Sequence, residues 1–436
     1  MALLKSMSRE QKEAVGLLQI GTFLEYFDLM LYVHMAVFLN ELFFPPTDPH
    51  TASLVTAFTF CSVYIFRPFG ALFFGYIGDR IGRKATVTLT TTLMGISCVM
   101  MATLPTYAQI GITASWIVTF CRMVQGLSSM AEIVGAEIYL SESVKAPQSY
   151  PVVSLISVSS ALGAMAALGV STLVTRLNFE WRLAFWVGAC IAFVGAVART
   201  RLRETPEFLS MKHKKKETPE EKQPFFAKNN PLRKNLIHYF SADCSCALVF
   251  YLAFIFFTPV LKSLGYSSQE VIFQNFLLSI FSVTAYATLA YLSTLIHPLK
   301  ILNFKSKFLF LMVLLLPLLL TRCRFGYEIF ILQVLLVIAG GGSIPADAIF
   351  IKSIKIEKRF TLLTLKYALS RVVTHVTSAF GLIYLMEWFG YWGVWGVALP
   401  IAGAYIAAVR HFERLEGLRP DKLSRVKSKN LQGQAA

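Results

Sequence analysis

Read for hydropathy alone, the chain repeats one pattern: a long apolar run, then a short polar or charged connection. Apolar runs of about 18 residues or more are long enough to cross a bilayer as helices. The apolar windows place twelve spans, near 15–38, 53–77, 85–104, 111–138, 151–174, 182–200, 238–262, 271–296, 307–321, 326–351, 361–386 and 392–410. Alternating strand patterns are absent, and inside lipid every backbone group needs an internal partner, so helices are predicted. The longest connection, about 201–237, divides the spans six and six. The expected organisation is a six-helix bundle over 1–200, a charged linker over 201–237, a second six-helix bundle over 238–410, and a disordered basic tail over 411–436. The fold class is therefore all-α and integral to a membrane.

Composition agrees. Of 436 residues, 55% are hydrophobic and 15% charged, and the mean hydropathy is +0.58, too apolar for a water-facing surface. The first apolar segment is not read as a cleaved signal: it is too long, carries Glu25 and Asp28, and lacks a small-residue cleavage site. Most of the cysteines, Cys61, Cys98, Cys121 and Cys190 among them, lie inside apolar runs, which suits small hydrophobes better than disulfides or metal ligands. No GxSxG, HExxH or P-loop segment occurs, so neither an enzyme nor a bound cofactor is expected.

The net charge of +16 is mainly a topology signal. With the N-terminus inside, most of the 41 Lys and Arg fall on the inner connections and both tails. Only Arg176, Arg182, Lys262, Arg322 and Arg324 fall outside, which puts both termini in the cytoplasm. A basic face also suits nucleic acid, but no nucleic-acid motif accompanies it, so the expected partners are the lipid bilayer and a small solute, and a monomer is expected.

Charges inside the spans carry the functional reading, because each costs at least about 2.5–3.5 kcal/mol at mid-bilayer unless it faces protein or a wet cavity. Glu25 and Asp28, three apart, share a face of the first span, where repulsion and desolvation favour taking up a proton near neutral pH; a structural pair is the alternative. Arg67, deep in the second span, predicts an acidic partner, Glu25 or Asp28. In the fourth span, Arg122, Gly126 and Ser129 form a small polar stripe with Glu132 nearer the cytoplasmic end, and the small residues suit close helix packing. The eleventh span carries Tyr367, Arg371, His375 and Ser378 on one face, which predicts a cavity wall. Lys366 lies close enough to an end to snorkel. Gly340-Gly341-Gly342, followed by Pro345, predicts a kink or a close-packing point.

The segment Gly75-Tyr76-Ile77-Gly78-Asp79-Arg80-Ile81-Gly82-Arg83-Lys84, between spans 2 and 3, strongly resembles the loop signature of the major facilitator superfamily, and Arg122-Met123-Val124-Gln125-Gly126 resembles a second motif of that family. Glu25-Tyr26-Phe27-Asp28, Arg67-Pro68-Phe69-Gly70, Trp181-Arg182 and Glu204-Thr205-Pro206-Glu207-Phe208 resemble the metabolite:proton symporter branch, which carries proline and betaine, shikimate, and di- and tricarboxylates. The resemblance implies the major facilitator fold, a bacterial inner-membrane location, and proton-coupled uptake of a small carboxylate or zwitterion by alternating access. Span 5 lacks the Gly-Pro motif of antiporters, leaving symport or uniport, with a receptor lacking flux as a further alternative.

On this reading Glu25 and Asp28 carry the coupling proton, tuned by Arg122 and Glu132. Tyr26, Arg67, Gln125, Tyr367, Arg371 and His375 line the substrate cavity. Gly75, Asp79, Arg80, Gly82, Arg83 and Lys84 form a cytoplasmic conformational gate. The counterpart loop, His297–Lys305, has neither acid nor glycine, so this latch is expected on one side only.

Overall fold

The structure is a computed structural model that describes residues 9–45, 49–80, 83–129, 132–177, 179–200, 231–354 and 356–418. Among these the regular structure is helical, with no strand. The first half comprises α1 (Arg9–Phe43), α2 (Pro49–Ile65) continued by α3 (Arg67–Arg80), α4 (Arg83–Thr103), α5 (Ile112–Ser128) continued by α6 (Glu132–Ser143), α7 (Ser149–Arg176) and α8 (Arg182–Thr200). The second half opens with α9 (Pro231–Phe250), which loosens into a π-helical stretch over Tyr251–Phe256 before α10 (Phe257–Ser263). It continues with α11 (Ser268–Leu292), α12 (Pro298–Leu320), α13 (Gly326–Ala339), α14 (Asp347–Lys352), α15 (Ile356–Phe389) and α16 (Val394–Leu415).

Eight helical stretches here are long and apolar enough to cross a membrane. One of them, Arg359–Leu415, turns at Gly390 (φ 56°) and holds two passes, α15 and α16. Three shorter apolar helices, Thr92–Thr103, Arg182–Val194 and Gly326–Ala339, complete the twelve expected passes. The apolar side chains that remain exposed, such as Trp116, Phe193, Phe304 and Trp388, are surface that lipid covers. The expected division at 201–237 falls largely outside the described residues.

Connections end cleanly where the sequence supplies caps. The Ser267 hydroxyl accepts the Glu270 N–H at 3.3 Å, and the Glu270 carboxylate accepts the Ser267 N–H at 2.8 Å, a reciprocal pair at the start of α11. The His297 ring accepts the Leu299 N–H at 3.3 Å, and Pro298, lacking an N–H, opens α12.

That cap corrects the ninth span, which begins at Pro298 and not near 307. Residues read as loop therefore lie in a helix, and some of them, Lys305 among them, point into protein. Lys305 is buried, its Nζ donating to the Ile344 carbonyl at 3.1 Å, and Asn303 donates to the Glu413 carboxylate. Charge is tolerated there because neighbouring helices, and not lipid, solvate it.

The triple glycine does more than kink its span. The helix stops at Ala339, Gly340 and Gly342 take φ of 51° and 86°, and a new helix starts at Asp347. Those φ values favour glycine. Between them Gly341 packs against the Ser245 backbone so closely that a Cβ would clash, and the Ser245 hydroxyl accepts the Gly342 N–H at 2.9 Å. In the first half Gly126 likewise abuts the Val63 carbonyl, the close packing expected of that stripe.

Within each half α1 packs along α7, α4 against α8, and α16 against both α9 and α12; between halves, α7 packs along α11, and α15 along α2 and α3. Polar links tie the halves at both ends. Where the chain begins and ends, Arg359 Nη1 meets the Glu142 carboxylate at 2.5 Å. At the opposite end Lys262 meets Glu41 at 3.0 Å and His50 meets Glu387 at 2.5 Å.

Candidate functional site

Between the halves lies a cavity of about 1180 Å³, counted with its open mouth, in which charged side chains stand among largely apolar and aromatic ones. Residues of α1, α2, α3, α6 and α7 form one wall, and residues of α9, α11, α14, α15 and the broken tenth span form the other. Helical spacing on α9 and α15 sorts this wall into three layers. Phe250 and His375 lie deepest, Cys246 and Arg371 are about a turn nearer the chain ends, and Asp243, Lys366 and Tyr367 nearer still.

In the deepest layer the His375 ring packs on Tyr64 (centroids 4.2 Å apart) and Phe60 (5.1 Å), while the Arg67 guanidinium lies 4.6 Å from the Tyr64 centroid. Nearby, His34 of α1 meets Phe250 of α9 at 6.5 Å and Phe254 of the π-helical stretch at 5.8 Å. One turn before Arg371 on α15, the Tyr367 hydroxyl shares a hydrogen bond of 3.0 Å with the Tyr26 hydroxyl across the halves. Arg371 lies 4.8 Å from the Tyr367 centroid and donates to Cys246 Sγ at 3.6 Å.

Five of the six residues assigned to the cavity from sequence, Tyr26, Arg67, Tyr367, Arg371 and His375, line it. The sixth, Gln125, does not: its Oε1 accepts from Arg122 Nη1 at 2.9 Å, inside the first half. Arg122 is fully buried over the Tyr32 ring, 4.2 Å from the centroid. Glu25 and Asp28 are buried on α1 and are not part of the cavity wall. Asp28 instead faces Gly188 of α8 and Cys98 of α4. The acidic partner expected for Arg67 is not found among the described residues, where its contact is with Tyr64. Ser378, on the expected stripe, is buried away from the cavity.

The gate residues and Glu132 lie at the margin of what is described. Gly75, Asp79 and Arg80 belong to the backbone of α3, Arg83 and Lys84 to that of α4, and Glu132 opens α6. The placement of their side chains, and the whole of Gly82, fall outside the described residues.

The charged cluster nearest the chain ends was not anticipated. Lys366, expected to snorkel, is buried, with Nζ 2.5 Å from Asp243 Oδ2 and 3.2 Å from the Tyr239 centroid. Asp347 opens α14 at the end of the glycine break and accepts from the Ser343 hydroxyl. Glu137, on α6 of the first half, lines the same part of the cavity. A signal was present in the sequence: Asp243, Asp347 and Glu137 are acids inside or beside apolar runs, as Glu25 and Asp28 are.

Two six-helix halves around a central chamber, with charged side chains turned inward from both, define a polytopic membrane protein. The family model described as Major Facilitator Superfamily matches residues 18–354, and the chain belongs to that superfamily. Over 204 residues it is 33% identical to the proline/betaine transporter of Salmonella typhimurium, a match covering 45% of this chain and 41% of that one. Over 206 residues it is 34% identical to the inner membrane metabolite transport protein YhjE of Escherichia coli, covering 45% and 47%. The matched stretch thus spans less than half the length of these curated relatives. The fold matches the proton:xylose symporter XylE bound to 6-bromo-6-deoxy-D-glucose (TM-score 0.72, 14% identity, covering 92% of this chain and 94% of that one). It also matches the human organic anion transporter MFSD10 (TM-score 0.67, 14% identity, covering 93% and 100%).

Proposed function

We propose that this protein is a secondary active carrier that takes up a small polar metabolite bearing a carboxylate, driven by protons. One observation carries the substrate class: Arg67 and Arg371, from opposite halves, line the same chamber. A guanidinium fork matches a carboxylate, and an anion held by both arginines would draw the halves together around it. The proline/betaine relatives support the same class. Alternating access then consists of the two halves rocking about the bound solute.

Glu25 and Asp28 carry the coupling proton in this reading, with Arg122 and Glu132 adjusting their affinity. Both acids are buried on α1, the helix that also brings Tyr26 to the chamber wall, so neutralising them can alter how that helix packs. The segment from Gly75 to Lys84 acts as a gate on the cytoplasmic side, where both termini lie, in a bacterial inner membrane. The carrier works as a monomer with the bilayer and its solute as partners, and no bound cofactor is needed.

The test is uptake of radiolabelled amino acids, betaines and organic acids into proteoliposomes, with and without an inward proton gradient. Gradient-stimulated uptake is expected, together with its loss in Glu25→Gln and Asp28→Asn while counterflow persists. Gradient-driven uptake left intact in both variants overturns the coupling assignment. Counterflow without proton movement identifies a uniporter, and ligand binding without counterflow a receptor.

A further inference from the structure

The charges of the chamber wall stop short of its far end. Phe254 stands about three turns beyond Asp243 along the same pass, and around it the lining is apolar and aromatic, with Met30 and Leu168 beside the rings. Here His34 packs on Phe250 at 6.5 Å and on Phe254 at 5.8 Å, and those two phenyl rings stack on each other at 5.5 Å. His375, from α15, also meets Phe250, at 6.0 Å. An imidazole from each half therefore touches one phenyl ring. His34 is 3% exposed and His375 1%, yet among the described residues neither ring nitrogen of His34, nor Nδ1 of His375, has a hydrogen-bond partner. Arg67 adjoins this group through Tyr64, and its Nε and Nη2 are equally without a hydrogen bond there. Buried polar atoms left so are costly until a donor or acceptor meets them.

Resting on the carboxylate reading above, we propose that Phe250 and Phe254, with His34 and His375, form a subsite for an uncharged aromatic ring, so that the solute is an aromatic carboxylate. Its carboxylate meets Arg67 and its ring lies against the phenyl groups. A hydroxyl or carbonyl on that ring meets His34, whose imidazole can donate from one nitrogen and accept at the other. Flat rings attract one another face to edge through their quadrupoles, a preference that a saturated ring of the same size lacks. A second full charge placed here would lose its water without gaining a counter-charge. His34 belongs to the first half and Phe250, Phe254 and His375 to the second, so a ring held among them ties the halves together.

Titration calorimetry of the purified full chain separates the parts, using benzoate, its 3- and 4-hydroxy derivatives, cyclohexanecarboxylate and 4-hydroxybenzyl alcohol. Benzoate is expected to bind about 3- to 10-fold more tightly than cyclohexanecarboxylate, and one of the hydroxybenzoates about tenfold more tightly than benzoate. His34→Leu should erase the hydroxyl preference and leave the benzoate affinity unchanged, which also shows that the variant is folded. His34→Gln, which keeps a donor and an acceptor, should retain part of that preference. Phe250→Leu should erase the preference for the flat ring over the saturated one. Equal affinity for benzoate and cyclohexanecarboxylate in the wild type, no preference for either hydroxybenzoate, or preferences unchanged in His34→Leu and Phe250→Leu overturns the aromatic subsite and leaves the carboxylate reading standing. 4-Hydroxybenzyl alcohol binding as tightly as 4-hydroxybenzoate overturns the carboxylate reading and leaves the ring subsite standing. Absence of binding by all of these compounds overturns the subsite.

Discussion

The phenolic oxygens of Tyr26 and Tyr367 lie 3.0 Å apart, one on a helix of each half, and join the two walls of the chamber. A hydrogen bond in this place stabilises the arrangement in which the walls are close and contributes nothing once they part. A neutral bond of this kind is worth about 0.5–1.5 kcal/mol net. Tyr367→Phe is therefore expected to raise the population with separated walls roughly 2- to 10-fold. Cys246 lines the chamber and reports it: in a variant retaining only that cysteine, its labelling rate by a polar maleimide should rise by this factor. Tyr26→Phe should act alike, and the double variant no more strongly than either. An unchanged rate would show that the bond does not bias the conformation.

The Asp243–Lys366 pair is buried on both sides, with side chains 9% and 4% exposed. Removing one member leaves a charge without its partner, at a cost of about 3–5 kcal/mol. Asp243→Asn and Lys366→Met should each lower the unfolding temperature in detergent sharply. The double variant Asp243→Leu with Lys366→Met should recover most of the loss, because two apolar groups need no compensation. Singles as stable as the wild type would show that water reaches the pair.

Arg359 and Glu142 link the halves at the end where the chain starts and finishes, and they are shielded, 8% and 18% exposed. Glu142→Gln leaves the guanidinium with the Ile354 carbonyl alone, to which Nε and Nη2 donate at 3.0 and 2.8 Å. Opening at this end should be favoured by about 1–3 kcal/mol, read from spin-label distances across it. Exchanging the charges, Glu142→Arg with Arg359→Glu, should restore closure. Lys262–Glu41 at the far end is far more exposed, so Glu41→Gln should shift its equilibrium by about 0–1 kcal/mol at most.

Two glycines should respond oppositely to a side chain. A Cβ at Gly126 falls on the Val63 backbone, which cannot move aside without shifting α2. Gly126→Val should lower stability by about 1–3 kcal/mol or more. Gly403, inside α16, has nothing within 4 Å of a Cβ, so Gly403→Ala should raise it by about 0.5–1 kcal/mol through helix propensity and reduced unfolded-state freedom. Thermal unfolding of both variants is the check, and a stable Gly126→Val would mean the helices pack more loosely than described.

The passes were legible because each is a local property: about twenty apolar residues and a polar end give a helix that lipid accepts whatever its neighbours do. The polar stripe of α15 was legible for the same reason, since helical spacing alone sets Tyr367, Arg371 and His375 on one side. Errors arose where a residue's surroundings are another helix. Lys366 reads as a snorkelling end residue until α9 supplies Asp243 and Tyr239 around it. Lys305 reads as a loop charge until the broken tenth span brings a carbonyl to it.

Helix number, the inward turn of the charged stripe and the glycine signals followed from the sequence by itself, since hydropathy and helical period act within a few turns of chain. Tertiary structure alone decided that Gln125 serves Arg122 and not the chamber, that Asp28 faces α4 and α8, and that Glu137 meets acids more than a hundred residues away. Those pairings depend on how helices cross and rotate against one another, and side-chain packing between distant segments sets that rotation.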